Sequence, residues 1–133
     1  MIKISPSLLA CNFARLEEEV RKIEEGGAHY VHVDVMDGHF VPNISVGFPI
    51  VQALKSITKL PLDVHLMISD PDRYIEEFAK AGADIITVQQ EACIHLDRTV
   101  RYIKEQGKKA AVALNPATDI RVLEYVLPML DMV

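Results

Sequence analysis

Basic surplus, cysteine and long apolar runs are all scarce in this chain, and each scarcity closes off a class of function. Among 133 residues, 14 are Lys or Arg against 19 Asp or Glu, a formal net charge of −5, so the basic footprint that a nucleic-acid backbone demands is missing. No apolar run approaches the ~20 residues that cross a bilayer, and the opening Met1-Ile2-Lys3-Ile4-Ser5-Pro6 breaks too soon for a signal peptide. The expectations are therefore no nucleic-acid partner, no membrane and a cytoplasmic location. Cys11 and Cys93 stand alone without metal-ligand spacing and are expected to be free thiols in a reducing compartment. No segment is low in complexity, and no Gly-rich phosphate loop follows the first predicted strand.

What the chain does have is a regular alternation of strand and helix patterns, with half its residues hydrophobic and a quarter charged. A strand is predicted over 2–6, then a helix capped by Asn12 with Phe13, Leu16, Val20 and Ile23 on one face, stopped by Gly26-Gly27. A second strand follows over 28–35, and Pro49 opens a helix that turns Val51, Leu54 and Ile57 inward. The third strand is predicted over 62–67. Asp70-Pro71 reads as the cap and first turn of a helix carrying Tyr74, Ile75, Phe78 and Ala81, closed by Gly82. Strands over 84–88 and 110–114 flank a helix bearing Leu96, Val100 and Ile103; a helix over about 119–127 then leads to a sixth strand beginning at Leu130.

The repeating unit, ~25 residues of strand plus helix, implies parallel strands joined by right-handed crossovers. A doubly wound sheet would be complete at this length, whereas an eight-unit barrel needs ~200 residues or more. Polar groups at successive strand ends favour the barrel. The expected fold class is thus α/β of the (β/α)8 TIM-barrel type: an incomplete barrel of about five βα units plus the start of a sixth strand. Residues 1–133 are read as the N-terminal part of a single barrel domain, a piece of a longer protein.

The most informative stretch is His32-Val33-Asp34-Val35-Met36-Asp37-Gly38-His39-Phe40-Val41-Pro42-Asn43. Side chains alternate along a strand, so His32, Asp34 and Met36 share a face opposite Val33 and Val35. Polar groups on a covered face are costly unless bonded, paired or bound to a metal. For His32 or His65 alone, a hydrogen-bonded core histidine is the better reading, the His-x-Asp pairing on one face brings the ligand reading level with it, and Met36 and Met67 alone fit as core filler. Asp63 is assigned to the face opposite His65 and Met67, in a structural bond to a neighbour. His29, His39 and His95 are expected at the surface or at caps, and Glu17-Glu18-Glu19 and Lys108-Lys109 as solvated charge.

That stretch, together with Ser5-Pro6-Ser7-Leu8-Leu9, Leu62-Asp63-Val64-His65-Leu66-Met67, Glu91-Ala92 and Asn115-Pro116-Ala117-Thr118, resembles the ribulose-phosphate 3-epimerase family along the whole chain. The resemblance implies a (β/α)8 barrel that interconverts D-ribulose 5-phosphate and D-xylulose 5-phosphate with one divalent metal ion, zinc, iron, manganese or cobalt. It makes His32, Asp34 and His65 metal ligands and Asp34 a catalytic acid/base. Ser7, His32, His65, Met36 and Met67 are then substrate-binding, the two methionines forming a polarisable wall, while Asp37-Gly38 and the residues from Phe40 to Asn43 shape the rim. The chemistry needs such help: a proton beside a ketone is far too weak an acid for a carboxylate of pKa ~4, an uphill gap of ~20 kcal/mol, unless positive charge stabilises the enediolate.

One departure from the family pattern is Gln89-Gln90, where a histidine often precedes Glu-Ala. The resemblance further implies a second catalytic aspartate, which is the fourth metal ligand, a third methionine and Gly-rich phosphate loops, none of them among these residues; the 133-residue chain alone is accordingly expected to lack epimerase activity. An epimerase for another ketose phosphate, such as allulose 6-phosphate, is the alternative enzyme. A non-catalytic metal-binding half-barrel, associating through its open sheet edges, is the alternative of another class. The expected partners are a small ketose phosphate and either further copies in a homo-oligomer or the missing half of the barrel.

Overall fold

Val31–Met36 (β1), Leu62–Met67 (β2), Ile85–Gln89 (β3) and Lys109–Ala113 (β4) pair in chain order into one parallel sheet. The computed structural model describes residues 2–133. Helix α1 (Leu16–Glu25) precedes β1, and α2 (Phe48–Ile57), α3 (Ile75–Ala81) and α4 (Leu96–Glu105) carry the chain between successive strands. Neighbouring helices touch in sequence order, so they form one layer over one face of the sheet. Unreversed strand order with a single helical layer is the winding of a (β/α)8 barrel, and it excludes the doubly wound alternative, whose strand order reverses at a switch point.

Alternation decides which residues meet that layer. Val31, Val33 and Val35 of β1, Val64 and Leu66 of β2 and Ile86 and Val88 of β3 are buried and pack with Val20, Leu54, Phe78 and Ile103 of the four helices in one core. The intervening residues face the barrel interior. Helix boundaries obey local chemistry: Asn12 accepts a bond from the Ala14 N–H in the turn that leads into α1, and Gly82, at φ 120°, closes α3 in a conformation L side chains rarely adopt.

Three expectations are corrected. The 2–6 segment is extended beside β1 but is not a strand: the Ile4 carbonyl accepts from the His29 N–H, the Pro6 carbonyl accepts from the His32 N–H, and Ser7–His32 is a single parallel bridge. Pro6 has no N–H to return, so the ladder cannot continue. Asp70 does not cap α3; it sits at φ 51° without a side-chain cap bond, ahead of a 3-10 turn over Pro71–Arg73, and α3 starts at Ile75 with Tyr74 partly exposed. The helix expected over 119–127 is two 3-10 turns, Ile120–Leu123 and Leu127–Met129. Its buried residues Leu123 and Val126 lie three apart, the 3-10 period, and Pro128 cannot donate an α-helical bond. Where a sixth strand is expected to begin, the chain makes one parallel bridge between Met132 and Ala111, the counterpart at the β4 edge of the Ser7–His32 bridge.

Candidate functional site

Two adjacent strands build the site. On β1 the half-buried His32, Asp34 and Met36 alternate with buried valines, and on β2 Asp63, His65 and Met67 alternate with Leu62, Val64 and Leu66. The parallel register sets His32 beside Asp63, Asp34 beside His65 and Met36 beside Met67. Asp63 therefore shares the interior face with His65 and Met67, correcting its assignment to the opposite face; a two-residue separation along a strand requires this.

Asp34 is the hub of the arrangement. Its Oδ1 lies 3.1 Å from His32 Nε2 and 3.3 Å from His65 Nδ1, and its Oδ2 accepts from Ser7 Oγ. Ser7 Oγ in turn accepts the Leu9 N–H at 3.1 Å, which leaves its proton directed at Asp34. Each imidazole is held from behind as well. His32 Nδ1 is 2.7 Å from Asp63 Oδ2, whose other oxygen accepts from Thr87 Oγ1 at 2.8 Å. His65 Nε2 is 2.8 Å from Gln89 Oε1, and the Gln89 amide nitrogen donates to Glu91 Oε2 and Asn115 Oδ1, both at 3.1 Å.

These outer contacts fix the inner ones. With N–H groups spent on Asp63 and Gln89, the facing nitrogens of both rings present lone pairs to the same carboxylate oxygen. Three acceptors converging on one point repel unless a positive charge sits among them. In the cation-free protein a proton supplies it: burial alone would lower the His32 pKa, but bonds to Asp34 and Asp63 outweigh burial and push it up to about 9. Burial would likewise raise Asp34, yet its contacts with His32, His65 and Ser7 hold it well below the usual carboxylate range. A divalent cation meets the same need. His32, Asp34 and His65 each offer one ligand atom, all within 4.8 Å of one another, and two imidazole nitrogens with one carboxylate oxygen suit zinc and its first-row neighbours.

The other singled-out residues fall as follows. Met36 and Met67 lie half-buried beside the cluster on its own face. Asp37 accepts the His39 and Phe40 N–H groups through Oδ1 and the Ser69 N–H through Oδ2 at 2.7 Å, tying the loop after β1 to the loop after β2. His29 accepts the Ile4 N–H through Nδ1, joining the N-terminal segment to the turn before β1, and His39 and His95 are exposed. Cys11 and Cys93 are free, and burial pushes the Cys93 thiol up to about 12.

Sequence reasoning missed Asp63, Thr87, Gln89 and Glu91 as parts of the site. Alternation could have found Asp63 and, within β3, the shared face of Thr87 and Gln89, whereas the Glu91 contact depends on loop geometry. Partial burial would raise the Glu91 pKa, but bonds from Thr118, the Asn115 N–H and Gln89 keep it below its ordinary value. Among the described residues, no helix is long and apolar enough to cross a membrane.

The sequence model of the ribulose-phosphate 3-epimerase family matches residues 3–133. Similar curated proteins include ribulose-phosphate 3-epimerase of Bacillus subtilis (strain 168), 59% identical over 133 residues, covering 100% of this chain and 61% of the relative. The Synechocystis enzyme of that name is 54% identical, covering 99% of this chain and 58% of its own, and the chloroplastic ribulose-5-phosphate-3-epimerase of Arabidopsis thaliana is also 54% identical, covering 99% and 48%. The chain thus spans about half to three-fifths of the length of these relatives. Among solved structures, a Yersinia pestis dihydropteroate synthase bound to a pterine-sulfa conjugate superposes with a TM-score of 0.67 at 16% identity, covering 95% of this chain and 52% of the other. A Vibrio fischeri 7,8-dihydropteroate synthase gives 0.58 at 12%, covering 96% and 52%. At such identities the likeness is one of fold.

Proposed function

The chain belongs to the ribulose-phosphate 3-epimerase family, an isomerase family, and on that premise we propose that the protein carrying it interconverts D-ribulose 5-phosphate and D-xylulose 5-phosphate. The observation that carries the reading is the convergence of His32 Nε2, His65 Nδ1 and Asp34 Oδ1 on one point at the interior face. His32, Asp34 and His65 hold one divalent ion there, zinc, iron, manganese or cobalt. When bound, it supplies positive charge to the substrate oxygens that become negative as the carbon 3 proton leaves.

Asp34 is the base on one face of carbon 3. Its depressed pKa makes it a weak base, so the uphill transfer relies on that electrostatic help rather than on basicity. Ser7 holds the outer oxygen, Oδ2, of Asp34 in place, and its hydroxyl borders the substrate. Met36 and Met67 give the planar, electron-rich intermediate a soft apolar wall. Both open edges of the sheet are joined by single bridges, leaving backbone groups for the further strands that complete a barrel.

The test is an epimerisation assay with D-ribulose 5-phosphate on the whole protein that carries this chain, before and after chelation and after adding back each of the four metals. Activity that vanishes on chelation and returns with a metal is expected. Turnover indifferent to chelation overturns the metal-assisted reading, and faster turnover of allulose 6-phosphate overturns the substrate assignment.

A further inference from the structure

Gln89 is a polar residue at the end of β3, 5% exposed, whose amide has no freedom in how it is used. Glu91 and Asn115 each present an oxygen to it at 3.1 Å, and a carboxylate can only accept. Its nitrogen must therefore face Glu91, and its oxygen must face His65 Nε2 at 2.8 Å. A flipped amide would set oxygen against two oxygens, and nitrogen against the ring. Behind Gln89, Glu91 is itself anchored by the Asn115 N–H at 2.7 Å and by Thr118 Oγ1. The donations converge on the Glu91 carboxylate, from His65 through Gln89 on one side and from the loop after β4 on the other.

We propose that Gln89 is the positioning residue of the cluster, an anchored amide that keeps the proton of His65 on Nε2 and so turns the Nδ1 lone pair toward Asp34. The proposal rests on the metal-binding reading for its purpose and on the hydrogen-bond directions alone for its geometry. His32 is positioned differently, by the carboxylate of Asp63. The two histidines thus have unlike supports, one acidic side chain and one neutral amide. A neutral acceptor orients the ring without placing a second carboxylate behind the cluster, and the ring can neither rotate nor exchange tautomer without breaking the bond to Gln89. Outer contacts of this kind are commonly worth 10–100-fold in metal affinity.

The experiment compares wild-type protein with Gln89→Leu and Gln89→Glu in two readouts. The first is proton NMR of the imidazole N–H groups in metal-free protein; the second is Zn2+ affinity by competition with a chromophoric chelator. Wild type is expected to show a slowly exchanging His65 Nε2–H. Gln89→Leu should lose that signal and bind Zn2+ about 10–100-fold more weakly. Gln89→Glu, which keeps an acceptor for the ring, should retain the signal. A wild-type His65 without a protected Nε2–H overturns the proposal with no variant needed, as does Gln89→Leu binding Zn2+ within twofold of wild type. Wild-type protein that shows the protected proton but takes up no Zn2+ overturns the metal-assisted function and supports the positioning of His65 by Gln89.

Discussion

His32 and Asp63 are register partners on β1 and β2, and their Nδ1 and Oδ2 atoms lie 2.7 Å apart. Asp63 is 1% exposed and also accepts from Thr87 Oγ1 and, at 3.4 Å, from Ser5 Oγ, so Asp63→Ala strands the His32 and Thr87 donors in the sheet interior. The expected cost in urea unfolding is about 2–4 kcal/mol, with metal affinity reduced by about 10–100-fold because His32 loses its orienting partner. Equal stability of the variant and wild type would show that water replaces the carboxylate.

Metal binding should release a proton. Ligation needs a neutral imidazole, and without a cation His32 stays protonated up to about pH 9. Between about pH 7 and 9 the affinity for Zn2+ is expected to rise by about tenfold per pH unit and to level off above, as calorimetry in buffers of different ionisation enthalpy would reveal. The metal-free protein should behave oppositely. A His32 pKa raised above its ordinary 6.5 contributes stability that is fully present below that value and is lost as the pH climbs through about 9.

Asp34→Asn removes the base and leaves the strand. In the whole protein that carries this chain, the variant is expected to unfold cooperatively with a native-like circular dichroism spectrum while epimerisation falls by about 10²–10⁴-fold. Exchange of the carbon 3 hydrogen with deuterated solvent that is retained from both epimers would place the base elsewhere.

Gly82→Ala separates fold from site. A Cβ there would come within 2.8 Å of Lys55 Cγ, and the residue sits at φ 120°. Lys55 reaches past it to pair with Asp84 at 2.7 Å, and Asp84 accepts the Leu62 N–H at 2.9 Å, bracing β2 against β3. The expected loss is about 1–3 kcal/mol in thermal or urea unfolding, with Zn2+ affinity of the folded protein unchanged.

Much of this was legible from residue patterns. The β2 bounds come straight from Leu62-Asp63-Val64-His65-Leu66-Met67, because alternation and flanking breakers agree there. The His32, Asp34 and His65 cluster follows from the same alternation once β1 and β2 are neighbours. What escaped depends on single donors and rotamers. Pro6 interrupts a ladder by lacking one N–H, and Asp70 leaves α3 uncapped by adopting a left-handed conformation. The helix expected over 119–127 is replaced by two 3-10 turns, with only Leu123 and Val126 buried, three residues apart, and with Pro128 unable to donate. Gln89 becomes part of the site only through the β2–β3 register and the direction of its amide.

The two-strand origin of the cluster also bears on how the protein acquires it. Asp34 and His65 are 31 residues apart in the chain, and the entropy of closing a loop grows only slowly with its length. Docking one helix and pairing two consecutive strands therefore brings all three donor atoms together, with no need for the ends of the sheet to meet. During synthesis from the N-terminus, a ribosome that has released β2 has already exposed every donor of the cluster, whereas Gln89 emerges later with β3. The donor set is in this sense an early product of folding, and its rigid orientation a later one.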